Sequence, residues 1–166
     1  MWKPISAAIL LMFLSVGSVE FLKRRAVQNK IETAQRAPEA SQPRGMMVLQ
    51  EDGRGHFVAA TIMNGILVES VVDTGASLIA LSMEDAARIG VFPNAGDFKV
   101  SLSTANGSIS AAPVKLREVR LGSIRLQDID AVVLPSGRLK GTLLGMSFLR
   151  RLSSFQVSNG ALLLKE

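Results

Sequence analysis

The chain has 166 residues, a net charge of +5, and neither cysteine nor tyrosine. That length accommodates one domain with a real core plus an appendage, and the missing cysteines exclude a disulfide framework or a thiolate metal site. Nucleic-acid binding is not indicated: residues 1–44 hold seven Lys/Arg against three Asp/Glu, residues 45–166 twelve against eleven, and no basic stripe with stacking aromatics is present.

In chain order, residues 5–19 (ISAAILLMFLSVGSV) form an uncharged, mostly apolar run, and the nineteen residues from Pro4 to Leu22 approach the roughly 20 that cross a bilayer. An uncleaved signal anchor over 1–22 competes with a cleaved signal peptide, in which Lys3 is the n-region and Val16-Gly17-Ser18 the cleavage site. The anchor is preferred, because Lys23-Arg24-Arg25 straight after a cleavage site hinders export. Under the positive-inside rule the same cluster keeps the downstream domain in the cytoplasm. Residues 23–45 are polar and Ala/Gln-rich with Pro38 and Pro43; they read as a tether, helical up to Arg36 and extended beyond.

The folded domain is expected over 46–166. HFVAATIM and ILVESVV are two β-type runs separated by Asn64-Gly65, a two-residue hairpin signal. SMEDAARIG reads as a short helix with Ser82 as N-cap, Asp85 at N3 and Gly90 as the stop. FKVSLSTANGSISAAPVKL is a second pair of runs around Asn106-Gly107, and VRLGSIRLQDIDAVVL holds two or three more strands. In LLGMSFLRRL, Leu144, Phe148, Leu149 and Leu152 fall at helical spacing and predict a second short helix. FQVSNGALLL closes as a third Asn-Gly hairpin. The fold class is therefore mostly β with two short helices.

One residue stands out against this pattern. Asp73 ends an apolar strand, LVESVV, and is followed by Thr74, Gly75, Ala76 and Ser77. An ionised side chain in an apolar setting needs a partner. Thr74 supplies a hydroxyl, Gly75 lets a second backbone approach, and Ser77 is able to donate to the carboxylate. A single carboxylate there has no evident chemistry. Two carboxylates about 3 Å apart share a proton, so that one acts as general base on a water and the other as general acid toward a carbonyl.

The motif VVDTGAS resembles the signature of the aspartic proteases: two hydrophobic residues, Asp-Thr/Ser-Gly, a small residue and Ser. One copy excludes the two-lobed pepsin type and is similar to the single-domain retropepsins. A hairpin precedes the motif, a flap-like hairpin (STANGSISAA) comes after it, and Leu143-Leu144-Gly145 opens the second helix, in the order that family shows. The likeness covers roughly residues 46–166 and is nearest to bacterial retropepsin-like proteases with an N-terminal membrane anchor.

This resemblance implies a closed single-lobe barrel and a homodimer in which each chain contributes Asp73 to a dyad. Thr74 would lock the two loops together, Gly75 permit their approach and Ser77 orient the outer carboxylate oxygen. Ala105, Asn106, Gly107, Ser108 and Ile109 would form the flap over an extended polypeptide substrate, although one glycine at its tip departs from the glycine-rich retroviral flap. Leu143, Leu144 and Gly145 would pack on the Asp73 loop, and Ile79 and Ile109 would line subsites. No metal or organic cofactor is implied. The terminal strand pair, with its Leu162-Leu163-Leu164 run, is expected in the dimer interface. The resemblance places the domain on the periplasmic side of the inner membrane, against the charge flanks.

Plainer readings cover the other candidates. Asp128 and Asp130 alternate onto one solvated strand face, and Gly53-Arg54-Gly55 is a loop before a strand. Arg150-Arg151 face solvent at a helix end. His56 is the only histidine and Ser77 lacks a G-x-S-x-G setting, so neither a serine triad nor a zinc site is supported. The rival function is a non-catalytic, membrane-tethered scaffold of the same fold, and a third is an enzyme that cuts its own tether near residues 36–45.

Overall fold

The computed structural model describes residues 43–104 and 107–166. The anchor and most of the tether lie outside the described residues, as do Ala105 and Asn106 of the flap. Among the described residues, ten strands alternate with two short helices: β1 Met46–Gln50, β2 Val58–Met63, β3 Ile66–Val72, β4 Ile79–Leu81, α1 Met83–Arg88, β5 Val100–Thr104, β6 Gly107–Leu121, β7 Ile124–Val133, β8 Thr142–Leu144, α2 Met146–Leu149, β9 Ser154–Ser158 and β10 Ala161–Lys165.

Six strands close into a barrel in the order β2-β3-β8-β4-β7-β6, with β6 returning to β2. The β3–β8 and β4–β7 contacts are parallel, the others antiparallel. At the expected hairpins, Met63 pairs with Ile66 across Asn64 (φ 51°) and Gly65 (φ 90°), and Ser158 pairs with Ala161 across Asn159 (φ 50°) and Gly160 (φ 71°). Two consecutive left-handed residues are what a type I′ turn requires. Asn64 also fastens the barrel seam: its side-chain oxygen accepts from the Arg117 amide at 2.9 Å and its own amide donates to the Glu118 carbonyl at 3.0 Å. At the second dipeptide the register pairs Thr104 with Gly107, so Gly107 belongs to the strand.

Helix α1 obeys its sequence signals, the Ser82 hydroxyl accepting from the Asp85 amide at 3.1 Å and Gly90 reversing the chain at φ 78°. The expectation for LLGMSFLRRL needs correction. Leu144 ends strand β8, and only Met146–Leu149 is α-helical. Leu144, Phe148 and Leu149 are all buried in the core, but by two different elements. The run MMVLQ, for which the sequence pattern predicts no element, is strand β1. Strand β6 continues unbroken through Pro113, joining the flap to the barrel seam.

The main core gathers Met63, Val68, Leu81, Leu116, Ile129, Leu144 and Phe148 inside the barrel. A separate three-stranded sheet, β1-β10-β9, closes it with Met47, Leu49, Leu162 and Leu164. Leu162 and Leu164 are thus buried in their own chain, which gives their apolar run a core role within a single subunit. In this sheet the large apolar side chains left outside are Val48 on β1 and Phe155 and Val157 on β9, the two outer strands. Phe155 and Val157 lie beside Leu164 and Leu162 in register yet are 37% and 60% exposed.

Candidate active site

Strand β3 delivers Asp73 to the barrel rim. Val71 and Val72 run parallel to Leu143 and Leu144, and the Asp73 amide extends that ladder by donating to the Leu144 carbonyl at 3.1 Å. There the chain turns. The Gly75 amide donates to Asp73 Oδ1 at 2.8 Å and the Ala76 amide to the Asp73 carbonyl at 3.3 Å, so the carboxylate caps its own turn. A Cβ on Gly75 would stand 3.1 Å from that same Oδ1. Asp73 is half-buried, while Thr74, Gly75 and Ser77 are exposed.

The β8–α2 junction holds the turn from below. The Met146 amide donates to the Ala76 carbonyl at 2.8 Å, and the Ile79 amide donates to Ser147 Oγ at 2.9 Å. Gly145 lies against the loop so closely that a Cβ would fall 2.2 Å from the Leu78 carbonyl oxygen and 2.6 Å from that of Ala76. No side chain fits there. Strand β8 is secured at its other end, where Thr142 Oγ1 donates to Asp85 Oδ2 at 2.9 Å and Arg88 pairs with Oδ1 at 2.9 Å. Asp85 is buried, so two donors offset the cost of its charge.

Two sequence expectations differ here. The hydrogen bond anticipated from Ser77 to the carboxylate is not formed within one chain; the Gly75 amide supplies it. Ile79 does not line a subsite, being fully buried in the main core. The strand alternation that points Ile79 inward turns its neighbours Leu78 and Ala80 outward. Leu78 instead joins Leu102, Ile109, Leu139 and Leu143 in a partly open aliphatic cluster over Ala80, Ala111, Val132 and Leu134. This cluster links the Asp73 loop to the β5–β6 hairpin, where Leu102 pairs with Ile109 and Thr104 Oγ1 donates to the Gly107 carbonyl at 2.7 Å. Gly107 and Ser108 are exposed at its tip.

Sequence reasoning does not single out Ser147, Asp85 and Thr142 as supports of the loop. Ser147 and Ile79 are 68 residues apart in sequence, and no local pattern relates them.

The remaining candidates are elsewhere. Asp130 is exposed and paired with Lys115 at 2.6 Å, and Asp128 is exposed with φ 54° where the alternation of β7 slips. His56 lies in the β1–β2 loop beside Asp52, whose side chain accepts from the Arg54 and His56 amides at 2.8 and 2.9 Å. These bonds, the His56 amide foremost, hold the Asp52 carboxyl down at about 2. Arg150 and Arg151 are exposed, the latter donating to the Gln127 carbonyl. No cluster of three or more metal-ligating side chains occurs among the described residues.

Residues 59–151 match the family described as "gag-polyprotein putative aspartyl protease". The chain is 43% identical over 120 residues to "Uncharacterized protein in cobV 5'region" from Sinorhizobium sp, covering 72% of this chain and 52% of that protein. It is 31% identical over 164 residues to "Uncharacterized protein RP867" from Rickettsia prowazekii, covering 99% of this chain and 68% of that one. It thus spans about half to two thirds of these relatives. Among solved structures, a retropepsin-like aspartic protease from Rickettsia conorii superposes with a TM-score of 0.63 at 35% identity, over 72% of this chain and 89% of that one. The EIAV protease complexed with the inhibitor HBY-793 shares the fold at a TM-score of 0.51 and 14% identity, over 62% and 93%. With an Asp-Thr-Gly turn at the rim of a six-stranded barrel and a family match over residues 59–151, the chain belongs to the retropepsin-like aspartic proteases.

Proposed function

We propose that the protein is an aspartic endopeptidase whose catalytic centre is completed by a second copy of the chain. The observation that carries this reading is the setting of Asp73. Its turn is stitched from below to β8 and α2, its upper side (Thr74, Gly75, Ser77) is open, and no second carboxylate among the described residues is bonded to it. A twofold axis over Gly75 brings two such turns together, with Thr74 available for hydrogen bonds across the axis.

The paired carboxylates then share one proton. The ionised member takes a proton from the bound water, whose oxygen attacks the peptide carbonyl carbon while the protonated member gives its proton to the carbonyl oxygen. Collapse of the tetrahedral intermediate breaks the C–N bond, and the nitrogen leaves with a proton from the dyad. The substrate is an extended polypeptide lying between the β5–β6 hairpin and the aliphatic cluster.

The exposed edge of β9, with Phe155 and Val157, supports a place for this strand in the subunit interface. The apolar N-terminal run supports an inner-membrane anchor with the protease domain on the periplasmic side, which a reporter fusion active on only one side of the membrane tests.

The decisive experiment compares the detergent-solubilised full chain with Asp73→Asn on an unfolded protein substrate from acid to neutral pH. The wild type cleaves, with activity falling faster than linearly on dilution, and the variant loses at least about 10³-fold, the scale of a removed acid–base group. Equal inertness of both proteins would establish the scaffold reading instead. An Asp73-dependent N-terminal truncation would mark self-processing.

A further inference from the structure

The segments around the aliphatic cluster differ in charge from the rest of the domain. Residues 74–82 carry no charged side chain, and neither do the described residues of the β5–β6 hairpin from Val100 to Ala112. The connection from Leu134 to Gly141, between β7 and β8, carries two, Arg138 and Lys140. Apart from Asp73, every charge in these segments is positive.

The geometry of that connection is set by its own turn and by backbone bonds to the end of β4. Gly137 and Gly141 hold φ values of 76° and 82°. The Arg138 amide donates to the Pro135 carbonyl at 3.1 Å, the Leu134 amide to that of Leu81 at 2.9 Å, and the Ser82 amide to that of Gly141 at 3.1 Å. Leu139 packs into the cluster, and both flanking cations are exposed. On the outer face of β6 and β7, Lys115 and Arg125 are paired with Asp130 and Glu118. Arg138 and Lys140 have no carboxylate partner among the described residues.

Resting on the endopeptidase reading, we propose that Arg138 and Lys140 form a subsite for acidic side chains, so that the enzyme selects extended polypeptides carrying Asp or Glu a few residues from an aliphatic scissile pair. Leu139 and the cluster take the aliphatic side chains, while the guanidinium and ammonium groups take the carboxylate. They repel a Lys or Arg at the same place, which adds discrimination against basic sequences. In a twofold assembly the connection occurs on both sides of the scissile bond, so acidic residues are favoured on either flank. Because the cations sit at a solvent-exposed rim, the selection appears in kcat/KM and weakens with salt.

The test uses the full chain in an uncharged detergent and internally quenched peptides with a central Leu-Leu pair, flanked on both sides by Glu, Gln or Lys. The Glu peptide is expected to exceed the Lys peptide in kcat/KM by roughly three- to tenfold, the range of exposed ion pairs counted once as attraction and once as repulsion. The preference shrinks at high salt and reverses in Arg138→Glu/Lys140→Glu, while the Gln peptide changes less than about twofold. Equal rates for Glu and Lys peptides, or an unaltered preference in the double variant, would overturn the subsite. Binding of the same fluorescent peptides to Asp73→Asn is the second readout. A Glu preference in binding with no hydrolysis by the wild type keeps the subsite and removes the endopeptidase; hydrolysis with equal binding and equal rates does the reverse.

Discussion

The Asp73 turn and the β5–β6 hairpin face the same aliphatic cluster, yet they are held in opposite ways. The turn is fastened by amides and a hydroxyl from β8 and α2 and abuts a glycine with no room for a side chain. The hairpin has its own ladder, a threonine hydroxyl at the tip, and two aliphatic side chains pressing inward. On the proposed endopeptidase reading, the difference teaches where positional accuracy matters: a reacting carboxylate needs a fixed place, whereas a strand that covers a substrate must be able to open.

The largest effect is expected from Gly145→Ala, which breaks the rigid side of this contrast. A Cβ that close to a backbone carbonyl forces β8 and the turn apart, at about 3 kcal/mol of stability and most of the activity, measured by urea unfolding and peptide hydrolysis. Ser147→Ala leaves the Ile79 amide without its acceptor and costs about 1–2 kcal/mol, with kcat falling more than KM rises because the turn rather than the pocket is disturbed. Ile109→Ala, on the less tightly fastened side, is expected to raise KM several-fold while costing under about 1.5 kcal/mol, since the side chain is only partly buried. An Ile109 variant as destabilised as Gly145→Ala would erase the contrast.

The smallest effect concerns Asp52, in a third exposed segment held by its own hydrogen bonds. Its carboxyl titrates at about 2 instead of 3.8. The depressed value means that its contribution is complete above pH 3.8 and is lost as the pH falls toward 2, and carboxyl NMR titration against Asp52→Asn reads it directly.

Legibility in the sequence divides along the same line. The hairpins at Asn64-Gly65 and Asn159-Gly160 and helix α1 could be placed because their causes are local, two left-handed residues in one case and a hydroxyl cap in the other. The Asp73 motif could be quoted, but not the contacts that support it. Leu144, Phe148 and Leu149 have helical spacing by coincidence, because a strand and a short helix feed one core from either side of Gly145. Ile79 reads as a pocket aliphatic until the pairing of β4 with β7 and β8 fixes which face turns inward. The apolar run at Leu162 and Leu164 reads as needing a partner chain until β1 and β9 flank it within one subunit. These three readings depend on partners far apart in the chain, where periodicity carries no information.

Among the described residues no strand pairs with the outer edge of β9, which leaves a row of backbone donors and acceptors beside two exposed apolar side chains. An isolated chain therefore displays a template for cross-β growth, and whatever caps that strand also guards the protein against precipitation. Solubility at low and high concentration, usually treated as a nuisance of purification, becomes a direct report on whether the cap is in place.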